Sequence, residues 1–201
     1  MLISKSGGFT DDHRRLQGAW LFLLSLAVFF VSCVILYAIY VVLRLRGDGS
    51  QVQPFDVPFG FIFTTIALIA TSICMHLAIE SVRRERRTDL LRYLVLSCIL
   101  SVVFFAIQAA SMLGMVTQFN KASSPNGSLY GLTFFLALLH AVHVIGGIVA
   151  LALVLIRTIQ GRYDHERYFP IHFCALYWHF LDFVWLCMLA SFAIAAFMSK
   201  A

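Results

Sequence analysis

A chain of 201 residues with 61% hydrophobic and 12% charged side chains cannot cover itself with the polar surface that a soluble domain of this size requires. The formal net charge of +5 would suit a nucleic-acid partner if the basic residues were gathered for one, but they stand at the ends of apolar runs. Composition therefore excludes a soluble enzyme or a nucleic-acid-binding domain and describes an all-α membrane protein.

A bilayer core of ~30 Å is crossed by ~20 apolar residues in helical form. Five segments reach that length, at 19–43, 57–79, 93–116, 129–156 and 171–198, so residues 1–201 read as a single membrane domain with five spans. The residues before the first span are polar and include Lys5, Asp11, Asp12, Arg14 and Arg15. The run that follows is too long for a signal-peptide core and has no Ala-x-Ala cleavage pattern, so it is read as a retained span. It holds Trp20-Leu21-Phe22-Leu23-Leu24-Ser25-Leu26 and Phe29-Phe30 and ends at Arg44 and Arg46, an arrangement of interfacial anchors around an apolar middle. Gly49, Ser50 and Pro54 mark a short loop before the second span.

The second span closes with Cys74-Met75-His76 and is followed by Arg83-Arg84-Glu85-Arg86-Arg87. His76 falls about a turn from this basic end and reads as an interfacial histidine. The charge block reads as a solvated loop, with a lipid phosphate as its other partner. In the third span Gln108 and Ser111 share a face at three-residue spacing, and packing toward other helices accounts for both. Asn126-Gly127-Ser128 in the next loop has the form of a glycosylation acceptor, a pattern too common to use alone.

In the fourth span His140, His143 and Gly147 follow i, i+3, i+7, so two imidazoles and a backbone-exposing glycine share one face, which should meet a neighbouring helix closely. The longest connection, Arg157 to Pro170, carries Asp164, His165, Glu166 and Arg167, and Pro170 opens the fifth span where its missing N–H costs little. That span contains Tyr177-Trp178-His179-Phe180-Leu181-Asp182-Phe183-Val184-Trp185, and Asp182 is the only charged residue inside any of the apolar runs. A charge in hydrocarbon costs ~3 kcal/mol on insertion scales and calls for a partner. By helical rise, His143 lies ~20 Å from the end of its span nearest Arg157, while Asp182 lies ~17 Å and His179 ~12 Å from the same side. Antiparallel packing of the last two spans then predicts an interhelical polar network of His140, His143, His179 and Asp182. By the same measure His76 and His172 both fall near the inner surface.

Eleven basic residues (Lys5, Arg14, Arg15, Arg83, Arg84, Arg86, Arg87, Arg92, Arg157, Arg162, Arg167) lie on one side of the predicted spans and four (Arg44, Arg46, Lys121, Lys200) on the other. The positive-inside rule then predicts a cytoplasmic N-terminus and a C-terminus on the outer side. Cys33, Cys74, Cys98, Cys174 and Cys187 are spread along the spans without a CxxC and read as small buried hydrophobes. Haem ligation between helices needs two imidazoles at matched depth, which His140 and His143 lack, and no cysteine joins the histidines in a zinc or copper pattern. A proton relay is the remaining chemical reading of Asp and His in a membrane. The titratable groups stop near mid-depth, however, so structural hydrogen bonding is the favoured role. No catalytic, cofactor-binding or metal-binding residue is assigned.

Several ordered fragments are similar to one family. Trp20-Leu21-Phe22-x-x-Ser25 with Phe29-Phe30, His76 with Arg84, Gln108-Ala109, Gly131-x-x-Phe134-Phe135 with His140-x-x-His143-Val144-x-x-Gly147, and Tyr177-Trp178-His179-Phe180-x-Asp182-x-Val184-Trp185 resemble subunit III of haem–copper terminal oxidases, in its five-helix form. The resemblance implies a subunit without redox metal, beside a subunit I that carries haem and copper, in a complex with subunit II and others. It also implies bound phospholipid, support of proton uptake and of the lifetime of subunit I, and a bacterial plasma membrane as the location. His76, Arg84, Arg87, Trp178 and Trp185 become the expected lipid or subunit contacts. Two positions depart from the family: Leu26 and Ser111 stand where it usually carries acids. The alternatives are an accessory subunit of nitric oxide reductase and, from another class, a small haem- or quinone-binding membrane anchor.

Overall fold

The computed structural model describes residues 7–47, 60–121, 127–160 and 169–198. They form five helices: α1 (Gly7–Gly47), α2 (Gly60–Arg83), α3 (Arg87–Lys121), α4 (Gly127–Ile159) and α5 (Phe169–Met198), with no strand among the described residues. Away from its two ends a helix satisfies its backbone N–H and C=O groups within the segment, which hydrocarbon demands. Each helix holds a stretch long and apolar enough to cross a membrane: Leu16–Arg44, Gly60–Arg83, Arg87–Gly114, Gly131–Ile159 and Phe169–Met198.

The helices overrun their apolar cores. α1 starts at Gly7, inside the polar segment that precedes the first predicted span, and α3 starts at Arg87, ahead of the predicted Tyr93. Hydrophobicity marks where hydrocarbon ends, whereas a helix ends only where its terminal carbonyls and amides find other partners. The loop with Gly49, Ser50 and Pro54, the predicted start of the second span at Val57, Asn126, and the Asp164-to-Arg167 stretch lie outside the described residues.

α2, α3, α4 and α5 form a closed ring, each packed on the next, and α1 lies outside the ring on α4 and α5. α5 is thus enclosed by three helices, and its Trp178, Trp185, Met188 and Phe192 are fully buried. Phe30 and Tyr37 from α1, Phe61, Leu68 and Met75 from α2, Leu94 and Phe104 from α3, and Val144 and Leu151 from α4 complete the core. The outward side is as apolar as the inside: Leu21, Val28, Ile35, Ile62, Ile99 and Phe183 are all exposed. Lipid tails are no less apolar than leucine, so what joins these helices is close packing and interhelical hydrogen bonding.

The α2–α3 turn is set by local hydrogen bonds. The N–H of Arg86 donates to Ser81 O (3.0 Å) and that of Glu85 to Val82 O (3.1 Å), the Schellman pattern that ends a helix. The pattern requires a left-handed residue, and here Glu85 occupies it with φ 56°. An L side chain there costs ~1 kcal/mol relative to glycine. Glu85→Gly is expected to stabilise the folded chain by up to ~1 kcal/mol, read as a later unfolding midpoint in detergent.

Candidate functional site

The polar residues singled out by sequence fall on two sides of α5. On the α4 side, His140 is fully buried, with its ring 6.2 Å from that of Phe30 and 5.3 Å from that of Trp185. Neither of its ring nitrogens has a hydrogen-bond partner among the described residues. His143 is half-buried against Phe30, ring centres 5.0 Å apart, and its Nδ1 donates to Leu139 O in its own helix at 2.7 Å. The link from α5 to this face comes from Tyr177, whose hydroxyl donates to the His143 carbonyl at 2.9 Å. One turn further along α4, Gly147 lies under the rings of Tyr177 and Trp178, so close that an added Cβ would stand 3.2 Å from each. The predicted face of His140, His143 and Gly147 therefore does meet its neighbours closely.

On the α2 side, His179 Nδ1 and Ser72 Oγ are hydrogen-bonded at 2.5 Å. Asp182 lies next to the same serine, outside hydrogen-bond geometry, and both carboxyl oxygens are buried without a partner among the described residues. His76, exposed and one turn from Ser72 on α2, is close enough to His179 to interact electrostatically.

The predicted four-residue network is thereby corrected. His140 and His143 face α1 and the Trp185 side of α5, whereas His179 is joined to α2, with Asp182 beside it, and His143 does not bond Asp182. Helical rise placed these groups at comparable depth but left their rotation open. At ~100° per residue, Asp182 and His179 point roughly a quarter turn or more away from the face of Tyr177, Leu181 and Trp185.

The expected roles of the two tryptophans are also corrected. Trp178 and Trp185 are each 0% exposed within the chain, so neither touches lipid or another subunit. Trp185 donates from Nε1 to Thr65 Oγ1 of α2 at 3.0 Å and packs edge-on to Phe61 and Phe104. Interfacial belts use tryptophan at the ends of spans. These two lie in the middle of the most enclosed helix, and the exposed Trp20 of α1 is the ring with an anchor's position.

At the basic end Arg84 pairs with Glu80 in an exposed i, i+4 contact. Arg87 does something else: its Nη2 donates to Thr158 O (3.4 Å) and Ile159 O (3.3 Å), the last carbonyls of α4. It satisfies carbonyls that have no partner in their own helix and places a cation at the negative end of the helix dipole. Arg87→Gln is expected to cost ~0.5–1 kcal/mol of stability, while Arg84→Gln should stay within ~0.5 kcal/mol because an exposed pair contributes little. Equal losses in denaturant titrations of the two variants would contradict this assignment.

Four polar residues at helix contacts escaped the sequence reading. Ser72 and Thr65 join α2 to α5, and Tyr37 of α1 bonds Thr133 of α4 at 3.2 Å inside the core. Their signal was weak but present, since Thr65, Ser72 and His76 follow i, i+7, i+11 along one face. Gln108 is fully buried, as packing predicts, with both amide atoms unpartnered among the described residues. At the two departures from the family pattern, Leu26 joins the core cluster. Ser111 donates to Ile107 O at 2.9 Å and sits where a Cβ on Gly60 would collide with its hydroxyl. Among the described residues no group of three or more His, Cys, Asp or Glu is placed to hold a metal ion.

The sequence profile described as "Cytochrome c oxidase subunit III" matches residues 13–196. The chain is similar to cytochrome c oxidase subunit 3 of Cyprinus carpio, with 33% identity over 143 residues, covering 71% of this chain and 51% of the relative. It is similar to that of Formosania lacustris at 34% over 143 residues, again 71% and 51%, and to that of Lumbricus terrestris at 34% over 137 residues, 68% and 49%. The chain thus spans about half the length of the curated relatives it matches. A profile that covers all five spans, over a bundle whose central helix is the aromatic stretch Tyr177 to Trp185, places this chain in the cytochrome c oxidase subunit III family.

Proposed function

We propose that this chain is the non-catalytic subunit III of a respiratory haem–copper oxidase that reduces oxygen to water and pumps protons. In this reading haem and copper reside in subunit I, and the bundle packs beside it and prolongs its working life. The observation that carries the reading is the family match over residues 13–196. The bundle suits a supporting role: His179 bonds Ser72 across the α2–α5 seam, Tyr177 ties α5 to the His143 carbonyl of α4, and the outer surface is a broad apolar face for lipid or a neighbouring subunit. Arg83, Arg84 and Arg86, exposed at one end of α2 and α3 with His76 a few turns away, are suited to a phospholipid headgroup. The uneven distribution of basic residues supports an N-terminus on the cytoplasmic side and a C-terminus on the outer side. We place the complex in a bacterial plasma membrane.

Affinity purification of the tagged chain from native membranes in mild detergent tests this reading. The expected partner is a large multi-span subunit with haem and copper, and the purified complex should consume oxygen. Recovery with a partner holding haem and non-haem iron would reassign the chain to a nitric oxide reductase. A Soret band from the isolated chain would identify a haem-binding anchor instead.

A further inference from the structure

We propose that the α2–α5 seam is a one-sided proton-binding site: Asp182 takes up and releases a proton, reached from the Arg83 end of α2 through His76 and the Ser72–His179 pair. The inference concerns this chain alone and does not depend on the oxidase it serves.

Three observations carry it. First, both oxygens of the Asp182 carboxyl are buried in the middle of an apolar span, without a hydrogen-bond partner among the described residues. Among the described residues no ion pair balances it. α2 offers Ser72 and His76, with Glu80 a further turn along and paired to Arg84; α5 itself offers His179, with His172 two turns away toward its start. α1 presents the apolar stretch around Phe30 at this level, its Tyr37 being engaged with Thr133 further along, and the histidines of α4 face Phe30 and Trp185. A lone carboxyl held in hydrocarbon is most readily accommodated when a proton removes its charge.

Second, the groups between Asp182 and the helix end make a graded path. His76 is exposed, His179 and Ser72 are half-buried and hydrogen-bonded to each other, and Asp182 adjoins that serine. An imidazole and a hydroxyl can each accept and donate a proton, so the pair can pass one along without net displacement of heavy atoms.

Third, the path is closed beyond Asp182. One turn further along α5, Trp185 spans the interior against Phe61, Phe104 and His140, and Phe192 follows it. The polar groups at this level, Thr64, His140 and the Trp185–Thr65 and Tyr37–Thr133 pairs, are enclosed in the bundle, whereas His76 is exposed, so the seam has its opening at the His76 end.

Infrared difference spectra of the full chain in lipid nanodiscs, recorded between acid and alkaline pH, test the proposal. The expected result is a carboxylic-acid C=O band that persists above the pH at which solvated carboxyls ionise, fades as pH rises further, shifts in heavy water and is lost in Asp182→Asn. Labelling aspartate carboxyls with carbon-13 in the unsubstituted chain must move the same band, which keeps the test decisive if that variant does not fold. His76→Gln and His179→Gln should keep the band but slow its exchange with heavy water by about an order of magnitude. A spectrum without such a band, or a band indifferent to pH, overturns the site. Exchange as fast in both histidine variants as in the unsubstituted chain overturns the route.

Discussion

Gly147→Leu is expected to separate α4 from α5 and to destabilise the bundle by ~3 kcal/mol, roughly a hundredfold in the folding equilibrium. A Cβ at this position already stands 3.2 Å from Tyr177 Cε1 and Trp178 Cζ2, and both rings are buried in the core. Neither ring is free to swing away, because Trp178 is wholly enclosed and Tyr177 is tethered through its hydroxyl to the His143 carbonyl. Alanine should therefore cost about 1 kcal/mol, and the three further carbons of leucine should force the helices apart. The adjacent glycine supplies the control. A Cβ at Gly146 meets just the Tyr177 hydroxyl at 3.7 Å, an ordinary contact on an exposed face. Gly146→Leu should leave stability within ~0.5 kcal/mol, since no core contact changes. Unfolding titrations in detergent that gave the two glycines equal sensitivity would show that the helices do not meet at Gly147.

Trp185→Ala is expected to lower stability by ~3 kcal/mol or more. The ring lies where α5, α2 and α3 converge, touching Phe61 and Phe104, and its removal leaves a void that these rings cannot fill together. In a membrane the loss is one of packing rather than of transfer from water, because lipid is as apolar as the core. Trp185→Phe separates the two contributions. It keeps much of the volume and deletes the hydrogen bond to Thr65, whose hydroxyl also donates to Phe61 O at 2.7 Å and so stays satisfied. The cost should fall to ~1 kcal/mol. Trp20→Ala, at a ring 56% exposed on α1, should leave the unfolding midpoint nearly unchanged. A large loss from Trp20 and a small one from Trp185 would reverse the assignment of core and anchor.

Local patterns carried much of the architecture. The five apolar runs reappear as five helices, because length and hydropathy are properties of each segment alone. The face of His140, His143 and Gly147 was also legible, since residues three, four and seven apart share a side of any helix. The pairing of Asp182 with His143 was not. It depended on how α5 is turned about its axis, and a rotation of about 100° moves a side chain from one neighbour to the next. The same freedom misplaced Trp178 and Trp185, whose type suits both a core and a membrane interface. Arg87 looked like one charge of a solvated block until the end of α4 was found beside it.

By itself, then, the sequence of this protein determined the number of spans, the polar faces that had to find partners and the isolation of one carboxyl in the apolar interior, because each follows from covalent spacing and solvent preference. The tertiary structure decided that α5 sits among α1, α2 and α4, that Tyr177 and Gly147 rather than Asp182 close the α4 seam, and that Asp182 lies beside Ser72. Those choices depend on the relative rotation of helices, which packing of whole side chains settles and no single segment encodes.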